Sequence, residues 1–382
     1  MIPRTLFEAE HEEFRRHVRR FFETDIAPHH ERWEDQGVID RRVWNRAGEL
    51  GFLCCAIPEE YGGAGGTRLH SVILMEEQMR VGASGVGWPL HSDIVANYLL
   101  NFGTEQQKTY WLPRMASGET IGAIAMTEPG TGSDLQGIKA TATEDGDDYL
   151  INGSKIFITN GYSCDMAIVA VKMDGSEGGA KNITLMIVEA NREGFSKGQP
   201  LKKIGMKAQD TSELFFDNVR IPKSNVLGGE VGVNQGFTAL MQELAWERLI
   251  IAITSISGAE MAFDHTRTYT KERKAFGKSI DCFQNTRFKL AEMKSEIIIG
   301  RVFVDRCIEQ TLTGELEIPV AAAAKYWTSD LLNRVVDECV QLHGGYGYMV
   351  EYPIARAWID SRAQRIYGGT NEIMKDIISR FI

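Results

Sequence analysis

The spacing of the apolar residues changes twice along this chain, from three-and-four to two and back again, and that order restricts the fold more than any other feature. Phe14, Val18, Phe21, Phe22 and Ile26 recur at helical steps, and Pro28 is expected to stop that helix. The Trp44, Ala47, Leu50 spacing predicts a further helix, the glycine run at 62–66 breaks the chain, and helices follow over 71–79 and 104–116. The last opens with a Thr104…Gln107 pair of the capping-box kind. Between Ile121 and about Val233 the spacing is two. Tyr149-Leu150-Ile151 and Ile156-Phe157-Ile158 flank Asn152-Gly153, which predicts a hairpin, with further strands over 167–171, 183–188 and 214–219. From Gly236 helical windows return at 240–256, 259–271, 286–312 and 319–341. The reading is an α+β chain: an N-terminal helical domain (1–120), a middle antiparallel β-domain (121–233) and a C-terminal four-helix bundle (234–382).

Charge narrows the partners. Lys+Arg 42 against Asp+Glu 52 leaves a net charge of −10, which gives little help in binding nucleic acid or anionic lipid. The six cysteines form no CxxC pair and no Cys/His ligand spacing, so they read as mostly buried thiols in a reducing compartment, and no metal is expected. Glu8, Glu10, Glu12 and Glu13 stand among arginines and histidines before any apolar run, unlike a signal peptide. The uncharged stretches at 81–92 and 249–259 are far shorter than the ~20 residues that span a bilayer. A cytoplasmic protein without membrane insertion, acting on a small molecule or protein, is the expectation.

Five segments carry chemistry. Met126-Thr127-Glu128-Pro129-Gly130-Thr131-Gly132-Ser133-Asp134 follows an apolar run and combines glycines with hydroxyls, suiting a phosphate or a polar ring edge. It is neither a P-loop nor a Rossmann fingerprint, and alone it would read as a surface loop. Lys155-Ile156-Phe157-Ile158-Thr159-Asn160-Gly161 offers a ring wall and a hydroxyl to a planar group. Lys271, Arg273, Lys274 and Lys278, with Phe276 between them and Gln284 beyond, would suit a polyphosphate or simply be a solvated helix end. Gln341-Leu342-His343-Gly344-Gly345 and Tyr367-Gly368-Gly369-Thr370-Asn371-Glu372 set glycines beside aromatics at helix ends. His343 reads as a satisfied core histidine and is given no role.

Taken in this order, the MTEPGTGSD, KIFITNG, ERKAFGK…Q, QLHGGYGY and IYGGTNEI stretches resemble the acyl-CoA dehydrogenase family nearly end to end, and the C-terminal third is most similar to its long-chain type. The resemblance implies FAD between the β-domain and the bundle, and assembly as a dimer or tetramer. It implies that Met126, Thr127 and Ser133 contact the flavin and its phosphates, Ser133 also meeting substrate. Phe157 would lie along the ring where many relatives have Trp, and the Thr159 hydroxyl would approach N5. Arg273, Phe276 and Gln284 would reach the FAD of a neighbouring subunit, while Gln341, Gly345, Thr370 and Glu372 would line its adenine and pyrophosphate end.

The family reaction removes an α-proton from an acyl-CoA thioester while the β-hydride passes to the flavin, so a carboxylate base is required. Much of the family takes that base from the Glu of a Tyr-Glu-Gly-Thr motif, which here reads Tyr367-Gly368-Gly369-Thr370. The long-chain and isovaleryl types instead resemble this chain in supplying Glu247, within Trp246-Glu247-Arg248-Leu249. Apolar neighbours on both sides would raise its pKa towards that of a general base. Its i−4 neighbour is Glu243 and its i+4 neighbour Ile251, so no local helix pair explains it. Arg248, Tyr367 and Gly369 would bind substrate, and the Gly368 N–H would meet the thioester carbonyl. The expected product is a trans-2-enoyl-CoA from a long-chain substrate, a branched short one being second choice, with an electron-transferring flavoprotein as acceptor. A flavin monooxygenase or oxidase on the same fold, and a flavoprotein scaffold that has lost its base, remain open alternatives.

Overall fold

The computed structural model describes residues 2–174 and 179–382. The N-terminal region is helical: α1 (Ala9–Phe21), α2 (His30–Gln36), α3 (Arg41–Glu49), α4 (Arg68–Arg80), α5 (Trp88–Leu90), α6 (Ala96–Phe102) and α7 (Glu105–Ala116). Pro28 does not stop the first helical track. A π-turn over Phe22–Ile26 and a 3-10 turn over Ala27–His29 carry it on into α2. The proline sits in the first turn of that 3-10 segment, where a missing N–H costs nothing, and Gly37 at φ 75° ends the track instead. The capping box at α7 forms as expected: the Thr104 hydroxyl accepts from Gln107 N at 3.2 Å and Gln107 Oε1 accepts from Thr104 N at 3.0 Å.

The middle region is a curled seven-stranded sheet. Its strands are β1 (Gly122–Ala125), β2 (Thr141–Asp145), β3 (Asp148–Thr159), β4 (Met166–Met173), β5 (Ile183–Glu189), β6 (Phe195–Lys197) and β7 (Thr211–Pro222). It is mixed rather than wholly antiparallel, because β4 runs parallel to both β1 and β2. The hairpin expected at Asn152-Gly153 lies elsewhere: β2 and β3 turn between Asp145 and Asp148, with Gly146 at φ 64°. Asn152 and Gly153 sit inside β3 at a register shift against β7. A Cβ on Gly153 would fall 2.7 Å from Ala140 Cβ and 2.8 Å from its Cα, so this glycine permits a bulge and a close approach, not a turn.

The C-terminal region is helical, but its first two windows are one helix, α8 (Gly236–Glu272), 37 residues and about 55 Å long. Gly258, between those windows, lets helices close up instead of breaking one: a Cβ there would lie 3.2 Å from Met79 and 3.3 Å from Leu332. A short hairpin, β8 (Lys274–Ala275) with β9 (Lys278–Ser279), leads into α9 (Gln284–Leu312) and α10 (Ile318–His343), against which α11 (Pro353–Ser361) and α12 (Asn371–Ser379) pack. One apolar core joins Val72 and Met75 of α4 to α8, α9 and α10. Another joins α6 and α7 to the inner face of β4 and β5 and to Ala239 and Leu240 of α8. The beginning of α8 is thus held between the helical and β regions. Five cysteines are buried and Cys282 is exposed. Among the described residues no helix is long and apolar enough to cross a membrane.

Candidate active site

At the junction of the regions, Trp246 and Glu247 of α8 bond to the N-terminal helices, and Arg248 follows them. Trp246, Glu247 and Arg248 are all buried, Glu247 with 7% of its surface exposed. The Tyr98 hydroxyl, from α6, donates to Glu247 Oε1 at 2.9 Å. Burial pushes the Glu247 carboxyl up to about 7; the Tyr98 bond opposes that rise, the Glu243 carboxylate adds to it, and Arg248 opposes it. Arg248 is equally confined, and its Nε finds no hydrogen-bond partner among the described residues. A buried guanidinium in that condition suits an acceptor brought by a ligand.

Gly368 lies directly against this face. It adopts φ 67°, and a Cβ there would lie 2.3 Å from Cδ1 of Ile251, one turn beyond Glu247. The space a side chain at 368 would take is therefore filled from α8, and Glu247 stands one turn away. The Gly368 N–H donates to none of the described residues. The 366–371 turn is fixed from beneath by Lys325, fully buried, whose Nζ donates to Gly369 O and Asn371 Oδ1, both at 2.8 Å. Burial brings that ammonium down to about 8. Asn371 also donates to Asp330 at 2.9 Å, and Thr370 caps α12 through Ile373 N. Tyr367 and Glu372 remain exposed.

On the sheet, the 126–134 loop is pinned at its base and open at its tip. Lys155, fully buried in β3, donates to Met126 O at 3.0 Å and to Glu128 Oε1 at 2.8 Å, and burial lowers its pKa to about 8. Glu128 in turn accepts from the backbone N–H groups of Lys139 and Ala140 at 2.6 and 2.9 Å. Ile156 N donates to Thr127 O at 2.9 Å, while Ser133 is left exposed and nothing lies within 4 Å of where Gly130 or Gly132 would carry a Cβ. A second register shift between Lys155 and Ile158 thrusts Phe157 outward at φ 60° with 64% of its surface exposed, beside half-buried Thr159. An apolar ring presented this way costs free energy in water unless something flat covers it.

The remaining residues singled out in the sequence gather at the far end of the bundle. Phe276 at φ 50° and Gly277 at φ 79° form the tip of the β8–β9 hairpin, Phe276 being 94% exposed. Arg273 stacks on Tyr346 at 5.6 Å, and Tyr346 follows Gly345 in the 3-10 segment after Gln341. Gln284 opens α9 and is exposed. None of these has a contact with Glu247 or Phe157 among the described residues. His343 is a core residue, its Nδ1 2.8 Å from Cys339 O and its ring stacked on Tyr269. A separate open cavity of about 830 Å³ lies beside the 366–371 turn, with Lys203, Lys207, Arg334, Arg362, Arg365 and Asp330 in its wall.

Sequence reasoning missed Tyr98 and Lys325, and named Glu128 and Lys155 within their segments without giving either a role. Tyr98 carries no local signal, since its partner is 149 residues away. Lys325 does: a lone lysine ending the run Ala321-Ala322-Ala323-Ala324 on an apolar helix needs a buried partner.

Three family models cover the chain: the N-terminal domain of acyl-CoA dehydrogenase over residues 8–119, the middle domain over 123–219 and the C-terminal domain over 234–382. The chain is 51% identical over 380 residues to the mitochondrial long-chain specific acyl-CoA dehydrogenase of Sus scrofa, covering 99% of this chain and 88% of that one. Its fold matches the crystal structure of acyl-CoA dehydrogenase from Geobacillus kaustophilus with TM-score 0.97 and 46% identity, over 99% of each chain. It also matches a glutaryl-CoA dehydrogenase from Mycobacterium smegmatis, solved in complex with FADH2, with TM-score 0.90 and 27% identity, over 98% of this chain and 95% of that one. With three family models in chain order over a helical–β–helical fold and half the residues shared with a relative along nearly the whole length, this protein belongs to the acyl-CoA dehydrogenase family.

Proposed function

We propose that the protein is an FAD-dependent dehydrogenase that converts a long-chain acyl-CoA to the trans-2-enoyl-CoA, with Glu247 as the base for the α-proton. The observation that carries this is the Glu247 carboxyl itself: buried, raised to about 7, and one helical turn from the residue that abuts Gly368. A carboxylate in that condition is half ionised near neutral pH and gains driving force for taking a proton. The Gly368 N–H, with no partner among the described residues, suits the thioester carbonyl, whose charge grows as the α-proton leaves. Arg248, the next residue of α8, supplies a positive charge near Glu247.

The residues fit FAD. Phe157 and Thr159 provide a ring wall and a hydroxyl, the open glycines of the 126–134 loop with Thr127 and Ser133 accept a close polar edge, and Met126 closes the strand end. Thr370 and Glu372 stand at the start of α12 for the pyrophosphate side. Bound there, the flavin supplies the acceptor for the β-hydride. The projecting Phe276, with Arg273, Gln284, Gln341 and Gly345 nearby, fits contact with the FAD of a second copy, so a dimer or tetramer is the working assembly. An electron-transferring flavoprotein takes the electrons onward.

The test is an anaerobic visible titration of the purified flavoprotein with butyryl-, octanoyl-, palmitoyl- and isovaleryl-CoA. Bleaching of the flavin band fastest with palmitoyl-CoA is the expected result. Fastest bleaching by isovaleryl-CoA would move the substrate class, and no bleaching by any of them would contradict the reaction.

A further inference from the structure

Among the described residues, only one oxygen of the Glu247 carboxylate has a hydrogen-bond donor. Oε1 accepts from the Tyr98 hydroxyl at 2.9 Å, and no described residue donates to Oε2. Tyr98 is fully buried on α6, its ring 5.9 Å from that of Phe102.

The register that aims it is unusual. The helix reaches α6 through a π-turn over His91–Val95. An i→i+5 turn adds one residue and rotates everything after it by about 100° relative to a regular helix. With that rotation in place, three residues of this segment meet α8 on one face. The Asp93 carbonyl accepts from Trp246 Nε1 at 3.0 Å, Tyr98 donates to Glu247, and Asn101 Nδ2 donates to Glu243 Oε1 at 2.7 Å. Positions 243, 246 and 247 are related by three- and four-residue steps, so these bonds form a single latch along one side of α8.

We propose that Tyr98 is a positioning residue for the dehydrogenation: its hydroxyl engages Oε1 and turns the carboxylate so that Oε2 meets the substrate's α-proton, in a register that the π-turn sets. This rests on the reading of Glu247 as base. The phenol stays a donor across the working range, because burial and the Glu247 charge hold its pKa well above 10. Its bond favours the ionised carboxylate, so removing it makes the base harder to ionise. The other charged or titratable groups facing this site are Glu243 and Arg248 on α8, Arg68 on α4 towards Glu243 and Asp93, Lys325 on α10 towards Arg248, and Asp93 itself, whose carboxyl burial pushes up to about 7. Each is unaltered in the variant below.

The experiment is anaerobic rapid mixing of the flavin-loaded protein with palmitoyl-CoA across pH, for the parent, Tyr98→Phe, Tyr98→His and Glu247→Gln. In Tyr98→Phe the limb along which the bleaching rate rises with pH moves upward by about one unit, a tenfold loss below it, while acyl-CoA affinity and the resting flavin spectrum stay as in the parent. Tyr98→His keeps a donor and brings the limb part of the way back; it also serves should the Phe variant fail to retain flavin. A limb that does not move in folded Tyr98→Phe, with Glu247→Gln silent, overturns the role of Tyr98 and leaves the base in place. Parental bleaching by Glu247→Gln overturns the base itself.

Discussion

A single buried carboxyl shows how a residue can be costly to the fold and useful to the reaction. Glu247 is raised from 4.5 to about 7, so the folded state holds its proton more tightly than the unfolded chain does. Between those values the folded protein binds more protons, and stability therefore falls as pH rises through that window, the penalty being complete above about 7. Glu247→Gln removes it. The variant should gain on the order of 2 kcal/mol at pH 8 and little at pH 5, read from denaturant midpoints at the two pH values. A gain that does not depend on pH would contradict the burial argument. Glu247 was legible in the sequence chiefly through the resemblance to the long-chain type, with its apolar neighbours and missing helix partner in agreement. Tyr98 was not, because a contact across 149 residues leaves no trace in local spacing.

At the scale of elements, the bulges of β3 do what a regular strand could not. The shift at Gly153 and the shift before Ile158 together bring Phe157 out of the sheet with its ring exposed. Gly153→Ala would set a Cβ 2.8 Å from Ala140 Cα, at φ 142°, and should destabilise the protein by about 2 kcal/mol. FAD affinity should fall with it, as measured by flavin release on dilution. Unchanged melting and flavin retention would show that the bulge is not needed. The same glycine explains why sequence reasoning put a hairpin here. Asn-Gly marks both tight turns and bulges, and only the Ala140 backbone on the other side tells them apart. The two windows read as separate helices erred for a related cause: Gly258 served helix packing against Leu332, which spacing along one helix cannot reveal.

Across the whole molecule, the N-terminus is tied to the bundle by charge. Glu76 of α4 binds Arg4 at 2.8 Å, Arg15 at 2.7 Å and Arg301 of α9 at 3.1 Å, with Asp305 completing the group through Arg4 at 2.8 Å. Although burial opposes ionisation, the surrounding arginines hold Glu76 at about 2. Its contribution is therefore present above about 4.5 and is lost as pH falls towards 2. Glu76→Gln removes the carboxylate that three guanidiniums share, leaving Arg4 with Asp305, Arg15 with Glu77 and Arg301 with Glu260, and should cost about 2 kcal/mol at pH 7. The loss should shrink at pH 3, as seen in melting temperatures at the two pH values; an equal loss at both would contradict the ion-pair account. The three-region order was legible because the apolar spacing switches cleanly from helix to strand and back. The clasp was not, since its members lie in stretches far apart along the chain and no local spacing joins them.

The central claim is that the base has moved to α8, and Glu247→Gln tests it most directly. The variant should bind FAD with the parental spectrum, and anaerobic palmitoyl-CoA should leave its flavin oxidised under conditions that bleach the parent. Bleaching at the parental rate would mean that another group takes the α-proton.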